Sequence, residues 1–296
     1  MPFHLAPRSR ASRREFLVGL AAGAAAAACR AAAPPVSFRE STWALIADTH
    51  IQESEATIAR NENMAANLRA VVAEVGARRP GGVLIDGDLA LAKGEPGDYR
   101  TFLSILEPLR RADLPVHLTL GNHDQRANVA DALREGGVPA VEGKRVSALV
   151  QDGVQWLFLD SLDVVNATPG SLGARQLAWI AARLDAAPET PALLCVHHNP
   201  EVMPNALQDT AALFDALRPR RQAKAVFFGH THHWRRWEVD GIHCVNLAAV
   251  GYVFQPDQPK GWALATIREG GLDLELQSLD PAHPAHGKRE TLRWRA

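Results

Sequence analysis

Five short polar clusters punctuate this chain, and four of them follow an apolar run of strand character. They are Asp48-Thr49-His50, Gly87-Asp88, Gly121-Asn122-His123-Asp124, His197-His198 and Gly229-His230-Thr231-His232. This recurrence constrains the fold, because the carboxyl ends of strands in an open α/β sheet lie along one rim, where ligands bind. Together the clusters supply carboxylates, imidazoles and one carboxamide, a donor set suited to two divalent cations side by side. One such cluster carries little weight. Five in this order make a two-metal hydrolase the leading reading.

Between the clusters, apolar runs alternate with amphipathic stretches, which favours a layered α/β fold. The runs predict strands over 42–47, 83–85, 116–120, 156–159, 192–196, 225–228, 242–247, 262–267 and 272–276. Helices are expected over 61–79, 99–111, 127–135, 174–186 and 210–217. In the first of these, Leu68, Val71, Val72 and Val75 make one apolar stripe at i, i+3, i+4, i+7. Ser171 is the expected N-cap of the fourth, and Pro188 follows its end. The last three strands have little helix between them, so they are expected to build a second, more antiparallel sheet packed on the first. Four loops, 52–60, 92–98, 199–209 and 251–261, would shape substrate choice.

Composition excludes several classes. A net charge of -1 leaves no basic face for nucleic acid. Three cysteines without a C-x-x-C pair argue against a disulfide framework or a thiolate zinc site, and Cys195 and Cys244 read as buried thiols. The first residues differ from the rest. Arg8, Arg10, Arg13 and Arg14 precede a mild apolar run of alanines and glycines. That pattern matches a twin-arginine export signal over residues 1–33, with 36–296 as a single domain. The run is shorter than the roughly 20 residues a bilayer crossing needs. Export to the periplasm through the twin-arginine translocon is the expectation, with lipid attachment at Cys29 a lesser alternative.

The clusters divide the chemistry. Asp48 and His50, two apart after a strand, can turn toward one ion. Gly87 permits a sharp turn, so a carboxylate can project into the rim and bridge two cations. Asp86 and Asp88 compete for that role, since strand alternation aims both to one side. Asn122 offers a neutral oxygen donor. His123 can donate a proton to a phosphoryl oxygen, and Asp124 is expected to hold its far ring nitrogen. His197 or His198, and His230 with His232, end two further apolar runs. His117, His243, His283 and His286 lack such company and read as structural or solvent-facing.

The order D-x-H, G-D, G-N-H-D, H, G-H-x-H resembles the calcineurin-like metallophosphoesterase superfamily, from about Trp43 to Trp234. Two softer features, Leu159-Asp160-Ser161 and the helix running from Gly173 through Gln176 and Trp179 to Leu184, are similar to the bacterial class III cyclic-nucleotide phosphodiesterases. The resemblance implies a four-layer αββα sandwich of two mixed β-sheets flanked by helices. It implies a first metal on Asp48, His50, Asp88 and His232, with Asp88 bridging. Asn122, His197 and His230 would complete the second, His123 and Asp124 would be the catalytic pair, and His198 would face substrate. Two divalent ions of iron, manganese or zinc would serve water attacking a small phosphoester in line. Phosphodiesters of cyclic-nucleotide or glycerophosphodiester type are the favoured substrates. The alternatives are a phosphomonoesterase, or a metal-retaining binding protein without turnover.

Overall fold

The computed structural model describes residues 37–296. The expected export signal lies outside the described residues. Where a strand is buried at four or more successive positions, both of its faces must be covered. This is so for β1 (Ser41–Ala47), β4 (Gly82–Asp86) and β5 (Val116–Thr119), which pair in parallel. On the other side of β1, β12 (Gly261–Arg268), β13 (Gly271–Ser278) and β14 (Arg289–Arg293) add antiparallel strands, giving the sheet order β14-β13-β12-β1-β4-β5. The second sheet contains β6 (Ser147–Gln151), β7 (Val154–Phe158), β8 (Ala192–Cys195), β9 (Ala223–Phe228), β10 (Arg235–Val239) and β11 (Ile242–Asn246). Its order is β10-β11-β9-β8-β7-β6, with a parallel centre and antiparallel edges. A two-residue turn joins β2 (Ile58–Ala59) to β3 (Glu62–Asn63) in a small separate hairpin.

The sheets lie face to face. Between them Trp43 stacks on Trp156 at 4.1 Å, with Leu45, Phe158, Phe227 and Leu274 in the same core. Outside the first sheet, α1 (Met64–Arg78), α2 (Pro96–Arg111) and α3 (Arg126–Ala132) cover a second core. Outside the second, α4 (Gly173–Asp185) and α5 (Thr210–Leu217) cover a third. Three apolar layers between four structural layers make the αββα sandwich. The stripe of Leu68, Val71, Val72 and Val75 is buried on α1 as its spacing requires.

Three expectations need correction. The strands at 262–267 and 272–276 do not form a second sheet. They extend the first, because the free edge of β1 accepts β12 along Ser41–Leu45, while β11 joins the second sheet in parallel with β9. The first helix starts at Met64, not 61, because Arg60 and Asn61 make the hairpin turn and the Asn63 side chain caps the Ala66 amide at 2.8 Å. Ser171 does not cap α4. The Asp209 carboxylate accepts from the amides of Leu172 (3.0 Å) and Gly173 (2.7 Å), and the Ser171 hydroxyl donates to the same group.

Candidate metal centre

Every cluster leaves a strand at the same end of the sandwich: Asp48 just after β1, Asp88 after β4, Asn122 after β5, His197 after β8, and His230 and His232 after β9. Two sheets therefore deliver donors to one pit. The backbone there is wound unusually. Asp48, His50, Asp88, His230 and His232 all have positive φ, between 44° and 70°, a region that costs non-glycine residues energy and that clusters at functional sites. The adjoining glycines are there for clearance. A Cβ on Gly121 would stand 2.7 Å from His197 Nε2 and collide with Asp88, and one on Gly87 would strike the His197 ring.

The donors are buried and close. Three overlapping groups, Asp48-His50-His232, His50-Asp88-His123 and Asp88-His197-His230, each keep their ligand atoms within 4.8 Å of one another. His50 and His232 face each other Nε2 to Nε2 at 3.0 Å. Asp88 Oδ2 lies 3.3 Å from His197 Nε2, 3.8 Å from His50 Nε2 and 3.9 Å from His123 Nε2. His197 Nε2 and Asn122 Oδ1 are buried without a hydrogen-bond partner. Buried polar atoms are ordinarily satisfied, so inward lone pairs beside carboxylates fit positive charge in the pit. The residues present thus suit divalent cations.

Electrostatics agree. Burial lowers His50 to about 3 and His230 to about 4, keeping both rings neutral and able to coordinate. Burial alone would also lower His197, but the carboxylates of Asp88, Asp48 and Asp86 override it and raise the ring to about 10. A pit that draws a proton onto a buried imidazole favours a cation there. Other ring nitrogens are pinned: His232 Nδ1 by the Tyr252 carbonyl (2.7 Å), His197 Nδ1 by that of Asp86 (3.2 Å) and His230 Nε2 by that of Asn205 (3.0 Å). Such second contacts orient metal-binding histidines.

The structure separates the two competing aspartates. Asp88 faces the pit. Asp86 remains in β4, accepts from the Thr119 hydroxyl, and is pushed up to about 7 by burial. His197, not His198, joins the donor groups. His198 is fully buried, with its Nδ1 2.8 Å from the Ser161 hydroxyl, so it packs behind His230 rather than facing the opening. Asp124 does not hold His123. It accepts from the amides of Leu89, Ala90 and Gly121 and from the Tyr99 hydroxyl, at 2.9–3.1 Å. His123 Nδ1 instead meets the Ala92 carbonyl at 2.9 Å. Four donors converge on Asp124 because the loops after β4 and β5 and the first turn of α2 meet beside it, a convergence that adjacency in sequence hides. Three residues at the mouth went unpredicted: Arg60, Tyr252 and Phe254. Their signal was confined to two of the loops expected to shape substrate choice: Arg60 ends 52–60, and the aromatic pair lies in 251–261. His117 and His243 lie away from the pit, and neither joins a donor group among the described residues.

A double-sheet sandwich whose strand ends meet in a buried pit of histidines and carboxylates is the framework of the metallophosphoesterases. This chain belongs to the calcineurin-like phosphoesterase family, whose profile matches residues 42–234, and it is a metal-dependent phosphoester hydrolase. Among curated relatives, the 3′,5′-cyclic adenosine monophosphate phosphodiesterase CpdA of Haemophilus influenzae is 27% identical over 243 residues, covering 79% of this chain and 84% of that protein. The glycerophosphodiester phosphodiesterase GpdQ of Enterobacter lignolyticus is 27% identical, covering 64% and 69%. In fold, a dimetal phosphatase from Danio rerio superposes with a TM-score of 0.68 at 17% identity, covering 88% of this chain and all 100% of that one.

Proposed function

We propose that this chain hydrolyses small phosphodiesters of the cyclic-nucleotide or glycerophosphodiester kind. The overlap of three donor groups through His50 and Asp88 carries the reading, because shared donors bring two cation positions together. The names of the relatives favour diesters over monoesters.

Asp48, His50, Asp88 and His232 would hold one cation, and Asp88, Asn122, His197 and His230 the other, with Asp88 between them. Bound there, divalent ions of iron, manganese or zinc would neutralise charge at the phosphoryl group and make water acidic enough to attack near neutral pH. His123 stands at the lip, its side chain 25% exposed. With Nδ1 donating to the Ala92 carbonyl, its protonated ring carries the transferable proton on Nε2, beside the pit, for the departing alkoxide. Asp124 keeps the 88–90 and 121–123 backbones in register, so that Asp88 and His123 meet the same substrate. Its action on His123 is through the loops.

The test is release of p-nitrophenol from bis-p-nitrophenyl phosphate and from p-nitrophenyl phosphate, with manganese or iron. Faster metal-dependent release from the diester supports the reading. Release from neither favours a binding protein, and faster release from the monoester favours a phosphomonoesterase. Residues 1–33 are proposed to direct twin-arginine export to the periplasm, leaving 36–296 as the working domain. Recovery of a chain beginning near residue 34 from that compartment would support this, and full-length protein kept in the cytoplasm would overturn it.

A further inference from the structure

Three side chains crowd the mouth of the pit without holding a cation or moving a proton. Tyr252 stacks on His50, ring centroids 4.7 Å apart. Phe254 lies on His232, at 4.4 Å and 27° between planes. The Arg60 guanidinium sits 4.6 Å from the Phe254 ring centre and 5.5 Å from that of Tyr252. Arg60 forms no ion pair with a carboxylate among the described residues.

The hairpin and the loop that carry these side chains are tied down. Arg60 and Asn61, at φ 51° and 65°, form the two-residue turn of the β2–β3 hairpin, a tight mirror-type turn that tolerates little slack. The Asn67 amide donates to the carbonyls of Val250 (3.3 Å) and Gly251 (3.0 Å), tying the aromatic loop to α1. The Tyr252 carbonyl receives the His232 ring N–H. Yet Phe254 remains 48% exposed. A large ring resting on a candidate metal ligand and still open to solvent has area left to cover.

We propose that Arg60, Tyr252 and Phe254 form the subsite that receives the planar ring of a nucleoside, selecting nucleotide phosphodiesters over those of simple polyols. The inference rests on the phosphodiester reading above and names its substrate class. Aromatic rings and a guanidinium plane stack on any base. A polyol suits the trio poorly, since its hydroxyls need both donors and acceptors and have no flat face. The charge on Arg60, one hairpin tip from the pit, also draws in the anionic group.

The experiment compares two ligands with the same phosphate and different alcohols, adenosine 5′-monophosphate and glycerol 3-phosphate, by calorimetry on the metal-loaded protein. The wild type is expected to bind the nucleotide about tenfold or more tightly, the scale of one stacked base. Phe254→Ala and Arg60→Ala should each remove most of that preference. Because Phe254 also packs on His232, Phe254→Leu keeps the bulk and removes the ring, and elemental analysis checks that each variant holds its metal. Equal affinities in the wild type, or a preference surviving in both Phe254→Leu and Arg60→Ala, would overturn the proposal. Nucleotide preference without hydrolysis of any diester would sink the phosphodiester reading and leave the subsite standing.

Discussion

Asp88 has more depending on it than any other side chain of the pit. Its Oδ2 approaches three imidazoles, and its Oδ1 accepts from the His123 amide at 2.9 Å. Asp88→Asn removes the negative charge and leaves one neutral oxygen where two cation positions shared a carboxylate, so metal content by elemental analysis should fall for both ions, with turnover down about 10³-fold or more. His123→Ala should behave differently, keeping its metals and its melting temperature while the rate falls about 10²- to 10⁴-fold. Wild-type turnover in that variant would remove the proposed acid. Asp124→Ala separates structure from chemistry again. It leaves three amides and the Tyr99 hydroxyl without their acceptor, and each orphaned buried donor costs about 1–3 kcal/mol. Thermal melting should therefore show a large loss. A variant that melts like the wild type would mean that Asp124 does not brace the loops. The donors themselves were legible from sequence because each sits beside an apolar run. The partner of Asp124 was not, because a carboxylate next to a histidine reads as its orienter until the fold shows which amides lie closer.

At the scale of elements, Asp209 binds two segments. It caps the start of α4 from the residue preceding α5, joining the helices that cover the second sheet. Asp209→Ala should lower stability by about 1 kcal/mol, the usual worth of a cap, seen as a shift in denaturant midpoint with diesterase activity intact. Lost activity at unchanged stability would contradict a purely structural cap. Ser171 was the natural sequence choice for this cap, since hydroxyls before helices often serve so. A carboxylate 38 residues away takes the amides instead, and no local pattern announces it. The strands show the same boundary. Runs buried on both faces, such as Leu193 through Cys195, announced themselves, whereas β6, β10 and β14 are edge strands of mixed exposure and passed for loop. Pairing also escaped: nothing near residue 262 says that β12 will seek the edge of β1, two hundred residues back, rather than its neighbour β11.

Over the whole molecule, both sheets contribute to one pit, so filling it ties them together beyond the shared core of Trp43 and Trp156. Ligands that bind only the folded state stabilise it by mass action, by about 2.7 kcal/mol at a hundred times the dissociation constant. The melting temperature should drop when chelator strips the protein and recover when manganese is restored. Indistinguishable melting with and without chelator would show that the pit contributes nothing to global cohesion. The five reversed backbone positions carry a last consequence. Glycine at Asp48, His50, Asp88, His230 or His232 would relieve a torsional burden, and each such change would also delete a donor. A programme that ranks substitutions by thermal robustness alone will therefore nominate the very sites whose loss empties the enzyme of its purpose.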